Sequence, residues 1–300
     1  MKNSLLSNKN FMPYLFLSPF IVFFVTFRLW PIIWSLYISF FNYNGINVFK
    51  FVGFENYISL LKDDTFRKAV VNTLFFVIVY NAIMISLALI FAVLLSSAFV
   101  NGRKIYRSIY FTPIAMSLPV VAMVFDLIFS RNGGLIASIM DIFGYQFTVR
   151  WFNDMNLAKW GILIMKVWRG TGYYCAYFLA GLSAIPSDIY ESSKIDGAGP
   201  VATFFRITTP LLKPTLMFVI IMSSILSFQT FEEPWILTQG GPANSTLTLQ
   251  IMLYRTSFLE GALGKGSAIA YLMTLLMMGF SILYVNRLSE KEGKQNGEKV

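Results

Sequence analysis

Histidine is absent from the 300 residues, and cysteine occurs once, at Cys175. The first absence removes the commonest metal ligand and the commonest general base. The second excludes disulfides within the chain and any cysteine-built zinc or iron–sulfur site. Charge is also scarce. Asp, Glu, Lys and Arg make up 13% of the chain, against roughly 25% in a soluble globule whose surface must face water. This excludes an ordinary soluble enzyme, a disordered chain and a coiled coil. No phosphate loop of the form G-x-x-x-x-G-K-[ST] occurs, so an ATPase is not written into the chain. What is present is oil: 56% hydrophobic residues, with 30 Phe and 15 Tyr. Lipid is the solvent such a composition suits, with aromatic belts at its interfaces. The net charge of +9 is spread along the chain. It fits basic cytoplasmic loops better than a nucleic-acid surface.

A membrane helix needs about 20 mostly apolar residues. Stretches poor in charge predict six spans, at 13–39, 69–98, 106–130, 158–183, 212–237 and 266–287. The first is too long for the apolar region of a signal peptide, and no small-residue cleavage site follows it. The alternating ten-residue segments of an outer-membrane barrel are missing. The expected fold class is therefore all-α: a polytopic bundle forming a single transmembrane domain over 1–300. Six spans place both termini on one side. The tight loop carrying Arg103, Lys104 and Arg107, and the Lys-rich tail, mark that side as cytoplasmic.

Three outer loops are longer than links require. Residues 54–61, 134–143 and 249–258 each read as a short helix, and Gln239–Asn244 is rich in turn formers. Packing over the bundle and a docking rim for an outside partner are equal readings. The inner segment 186–212 is the unusual one. Asp188 and Glu191 have the spacing of an N-cap and its third helical residue. Gly197 and Gly199 suit a left-handed helix end, and Pro200 suits the first residue of a second helix. Two capped helices in so short a segment suit a rigid lever that a soluble partner could push.

At this segment the chain resembles the permease subunits of ATP-binding-cassette importers. Their cytoplasmic signature is Glu-Ala-Ala, three residues, Gly, nine residues, Ile, one residue, Leu-Pro. Here Glu191-Ser192-Ser193, Gly197, Ile207 and Pro210 fall on those positions, with serines for the alanines and Thr209 for the leucine. Val52-Gly53-Phe54-Glu55-Asn56-Tyr57, Val167-Trp168-Arg169-Gly170-Thr171-Gly172, Phe178-Leu179-Ala180-Gly181-Leu182, Ser227-Phe228-Gln229-Thr230-Phe231 and Gly240-Gly241-Pro242-Ala243-Asn244 are similar to further family elements. Together they resemble the first permease of carbohydrate importers, the group of the maltose and glycerol-3-phosphate permeases. The resemblance implies a type I importer permease fold in a bacterial or archaeal cytoplasmic membrane. It implies a second homologous permease, two cytoplasmic ATPase subunits, an extracytoplasmic solute-binding protein and a carbohydrate substrate. The chain itself would bind no cofactor, with ATP and Mg on the partner subunits. It also implies that Glu191, Ser192, Ser193, Gly197, Ala198, Ile207 and Pro210 couple to the ATPase. Glu191 as a mere helix cap is the competing role.

Ionisable residues inside spans are costly and mark function by default. Arg169 and Lys166 qualify, either as solute or gate contacts or as members of a structural ion pair, for which Asp126 is the candidate partner. Gln229, Glu232 and Glu233 lie among Phe228, Phe231 and Trp235, and Tyr173 and Tyr174 follow Arg169. Polar groups beside aromatic faces suit sugars, whose hydroxyls take directed hydrogen bonds while their C–H faces stack on rings. No catalytic or metal site is expected. A stand-alone secondary transporter of a small polar solute is the alternative. It would need an ion-coordinating core and often inverted repeats, and no clear internal repeat is seen.

Overall fold

The computed structural model describes residues 12–96, 103–131, 133–146 and 149–297. They are mostly helical and divide into two compact units. The first comprises the described residues of Met1–Asp63 with Leu253–Leu275, and the second those of Asp64–Met252 with Leu276–Val300. By length and apolarity, three described helices suffice to cross a membrane: Phe16–Ile38, Asp64–Ser96 and Leu263–Tyr284. The count becomes five when each of two bent pairs is taken as one span. The predicted span at 158–183 is a helix of 26 residues, Ala158–Ser183. That is about 39 Å at 1.5 Å per residue. It is long enough to cross, but Lys166 and Arg169 dilute its apolarity.

In the first unit, the Phe16–Ile38 helix buries none of its apolar window inside the protein. Apolar side chains facing outward throughout are what a lipid solvent demands. After it comes an element absent from the sequence reading, an antiparallel pair of short strands, Phe41–Tyr43 and Phe49–Phe51. Asn44 holds its turn, accepting from the backbone N–H groups of Ile46, Asn47 and Val48. The Val52–Tyr57 element has a local purpose here. Gly53 adopts φ +58°. The Asn56 side chain then donates to the Ser39 and Phe41 carbonyls, and Tyr57 meets the Ser39 hydroxyl at 2.6 Å. The predicted loop helix follows as Glu55–Lys62.

The second unit is organised on two long helices. Met84, Ala88, Ala92 and Leu95 of Asp64–Ser96 share a core with Tyr174, Cys175, Phe178 and Leu182 of Ala158–Ser183. In lipid, helices gain little by hiding apolar surface from tails that are equally apolar, so close packing across small residues holds them together. Glycines serve the same end. A methyl group at Gly172 would collide with the Tyr110 carbonyl oxygen, and one at Gly170 with the Tyr80 hydroxyl. Cys175 is fully buried, as a small packing residue should be.

Two predicted spans are not single helices. The stretch at 106–130 breaks at Met116 and Ser117, where Ser108–Ala115 and Leu118–Phe129 meet at 109°. Ser117 is extended (φ −65°, ψ 140°), and Pro119 enters the first turn of the new helix, where a missing N–H costs nothing. The predicted span at 212–237 is helical only over Lys213–Phe228, then resumes as Glu232–Thr238. Pro200–Leu211 leads into it with a bend of 69°.

Candidate functional site

The break after Phe228 creates the site. Its backbone leaves the helix at Gln229 and Phe231. Three contacts satisfy the freed groups: Thr230 N–H and Thr230 Oγ1 both donate to the Ser227 carbonyl, and Thr248 Oγ1 donates to the Thr230 carbonyl at 2.7 Å. Irregular backbone at membrane depth is tolerated where it is buried in protein or lines a cavity. It does the second here. A cavity of about 420 Å³ opens beside it, walled by Tyr80, Arg169, Gly170, Tyr173 and Tyr174 on one side and by Ser223, Ser227 and Gln229–Glu233 on the other.

All the residues proposed from sequence as a substrate path, Arg169, Tyr173, Tyr174, Gln229, Glu232 and Glu233, line this one cavity. They come from two helices and one break, and nothing in sequence spacing required them to meet. Tyr174 and Glu233 are buried, whereas Tyr173, Gln229 and Glu232 are exposed to the opening. Tyr173 shares a hydrogen bond with Tyr177 at 2.9 Å. The sequence reading missed Tyr80 and the hydroxyls of Ser223, Ser227 and Thr230. The hydroxyls left a signal, a polar stripe at helical spacing in an otherwise apolar span. Tyr80 left none.

The electrostatics differ from the sequence expectation. Asp126 takes no part; it lines a separate cavity of about 340 Å³ with Arg131, Arg150 and Trp151. The ion pair in the wall joins Lys166 to Glu233, Nζ to Oε1 at 3.1 Å, with 11% and 10% of the two side chains exposed. Lys166 also stands 5.0 Å from the Tyr80 ring centroid. Arg169 has no carboxylate oxygen within 4.0 Å among the described residues, and its buried Nε has no hydrogen-bond acceptor. An unmet buried donor costs about 1–3 kcal/mol.

The sequence-predicted coupling residues lie elsewhere in the second unit, on the Ser187–Ile195 helix and beyond. That helix starts at Ser187 with Pro186 as its cap residue, so Asp188 is not the cap that its spacing suggested. Asp188 sits in the first turn, where its charge favours the helix dipole. Gly197 closes the helix at φ +78°. The Ala198 N–H reaches back to the Ser193 carbonyl at 2.9 Å and the Gly197 N–H to Lys194 at 3.1 Å, a Schellman end. Gly199, by contrast, has φ −71° and serves as the cap residue of a helix starting at Pro200. Glu191 and Ser192 are exposed, Ser193 is buried and Ala198 is half-buried. Ile207 is half-buried and Pro210 exposed, where the chain turns back toward Lys213. Ile195 and Val201 present 86% and 71% of their surface to the outside.

Comparison with known proteins agrees with this architecture. The family model described as binding-protein-dependent transport system inner membrane component matches residues 84–292. The lactose transport system permease protein LacF of Rhizobium radiobacter is 34% identical, covering 93% of this chain and 94% of its own. The arabinooligosaccharides transport system permease protein AraP of Halalkalibacterium halodurans is also 34% identical, covering 92% and 87%. The trehalose/maltose permease protein MalF of Thermococcus litoralis is 32% identical, covering 91% and 92%. In fold, the chain matches a bacterial ABC transporter that imports alginate, with a TM-score of 0.82 and 20% identity over 94% of this chain and 96% of that one. The chain belongs to the family of inner membrane components of binding-protein-dependent transport systems: it is a multi-pass permease subunit, not an enzyme.

Proposed function

We propose that this member of the permease family forms half of the translocation path for a carbohydrate, and that the cavity beside Gln229–Glu233 is part of that path. The observation that carries the proposal is the convergence of Arg169, Tyr173, Tyr174, Gln229, Glu232 and Glu233 on one cavity. Its wall offers what a sugar needs: aromatic faces from Tyr80, Tyr173 and Phe231, and hydroxyl, amide and carboxylate groups to meet substrate hydroxyls. The lactose, arabinooligosaccharide and trehalose/maltose relatives support the same substrate class.

The proposed assembly contains a second permease, two cytoplasmic ATPases that hold ATP and Mg, and an extracytoplasmic solute-binding protein. The fold relative crystallised with an alginate pentasaccharide-bound periplasmic protein supports the last of these. The single 1–300 domain has six spans, with both termini cytoplasmic. Segment 186–212 is the coupling element. Glu191, Ser192 and Ser193 lie on a short helix with an exposed face that Gly197 and Ala198 close, Ile207 and Pro210 follow on the stretch leading back to Lys213, and ATPase closure would move the segment as one body. The bundle then alternates between inward-open and outward-open states. Each state needs a partner that prefers it, because a ligand shifts an equilibrium only by its differential affinity.

The test is Glu191→Ala in the complete transporter. Uptake should fall at least ~10-fold, as expected for loss of a charge-assisted contact, while membrane insertion is retained. Undiminished uptake would remove the coupling role.

A further inference from the structure

The cavity's charges point to a narrower substrate class. Its charged wall residues are Lys166, Arg169, Glu232 and Glu233. Glu233 is buried, lies in the field of both cations, and is ion-paired with Lys166 at 3.1 Å. Glu232 is exposed at the first residue of its helix, where water and the helix N-terminus suit a carboxylate. That leaves Arg169. It is half-buried, its Nε is shut off from solvent, and neither an acceptor for that Nε nor a carboxylate for its charge stands within reach among the described residues.

Arg169 nevertheless lines the cavity, and a guanidinium is a forked, two-pronged donor. It matches the paired oxygens of a carboxylate, phosphate or sulfonate, and charge makes such pairs the strong ones. A neutral hydroxyl would satisfy the donor but not the charge. Glu232 and Gln229 are exposed on the same cavity and can meet the hydroxyls of the same molecule. We infer that the substrate is an acidic carbohydrate whose oxyacid group binds the guanidinium of Arg169. This deepens the reading of the cavity as a transport path and rests on it.

The experiment uses the complete transporter in proteoliposomes, with a digalacturonate, its uncharged dimethyl ester and a phosphorylated disaccharide as probes. The quantity read is the ratio of acid to ester uptake, which misfolding or poor assembly alone would not move. The wild type should favour at least one of the two acids by ~10-fold or more, in keeping with one charged hydrogen-bond pair. Which acid it favours distinguishes a carboxylate from a phosphate. Arg169→Gln should bring the ratio near unity, and Arg169→Lys should restore part of it through charge without the fork. A wild type that prefers the ester, imports neither acid, or keeps its preference in Arg169→Gln overturns the inference. Those outcomes leave the reading of the cavity as a transport path standing, because that reading fails only if Tyr173→Ala and Gln229→Ala, on the same wall, also leave uptake of the imported probe untouched.

Discussion

Lys166 and Glu233, 67 residues apart in the chain, meet in the cavity wall with Nζ 3.1 Å from Oε1. The pair ties the Ala158–Ser183 helix to the short helix that follows the break at Gln229–Phe231. It therefore holds the two sides of the cavity in register. Both side chains are about nine-tenths buried, so each would be a costly lone charge without the other.

Lys166→Met or Glu233→Leu alone should lower stability by roughly 3 kcal/mol, the low end for breaking a buried pair. The double variant should recover most of that loss, because it removes both charges together. Thermal unfolding of the purified protein in detergent, read as a double-mutant cycle, checks this. Additive losses in the double variant would mean that the two residues act independently.

Gly172→Ala places a methyl group on the Tyr110 carbonyl oxygen. Neither backbone can yield without shifting a helix, so the expected cost is about 1–3 kcal/mol, as for overpacking a tight core. Gly279→Ala is the control, since nothing lies within 4 Å of a methyl there. The relative melting temperatures of the two variants decide the matter.

Asn72 is 3% exposed and donates to the carbonyls of Asn244 and Leu247 at 2.9 and 2.8 Å. The loop it holds contains three non-glycine residues in the left-handed region, Gln239 and Ala243 at φ 49° and Asn244 at φ 62°. Such conformations persist only where the surroundings enforce them. Asn72→Ala should cost about 2–3 kcal/mol, two hydrogen bonds with their carbonyls left unmet. Amide hydrogen exchange should rise selectively over 243–247. Unchanged exchange there would show that the loop is held by other contacts.

Ile195 and Val201 lie on the two helices of the proposed coupling segment and are mostly exposed. Ile195→Asp and Val201→Asp should each change the chain's own stability by less than about 0.5 kcal/mol, as exposed sites do. Each should weaken co-purification of the ATPase subunits, since a desolvated carboxylate at an interface is costly. Normal ATPase recovery with both variants would place the docking face elsewhere.

Several features were legible from sequence because one residue type sufficed to mark them. A charge such as Arg169 inside an apolar run is expensive wherever the chain goes, so it announces itself. The Ser187–Ile195 helix, its Gly197 end and the Pro200 restart follow from local backbone chemistry. Pairing was not legible. Asp126 stood as the candidate partner and Glu233 only as a substrate-path residue, because the choice depends on a 109° bend at Ser117 and a helix break at Gln229. The first interrupts no charge-free run, and the second shows in the sequence only as polar residues, Gln229, Thr230, Glu232 and Glu233, which do not by themselves say that the helix breaks. Tyr80 is one aromatic among many until Gly170 lets its hydroxyl approach the neighbouring helix.

The sequence alone determined the solvent, the helical class and the Gly197-closed helix at Ser187–Ile195, since hydropathy, backbone hydrogen bonding in lipid and glycine's left-handed freedom act locally. The tertiary structure alone decided which charges neutralise one another and which one, Arg169, is left open. That outcome depends on distances of a few ångströms between segments far apart in the chain, and Coulomb energy in a poorly solvated wall is steep over that range.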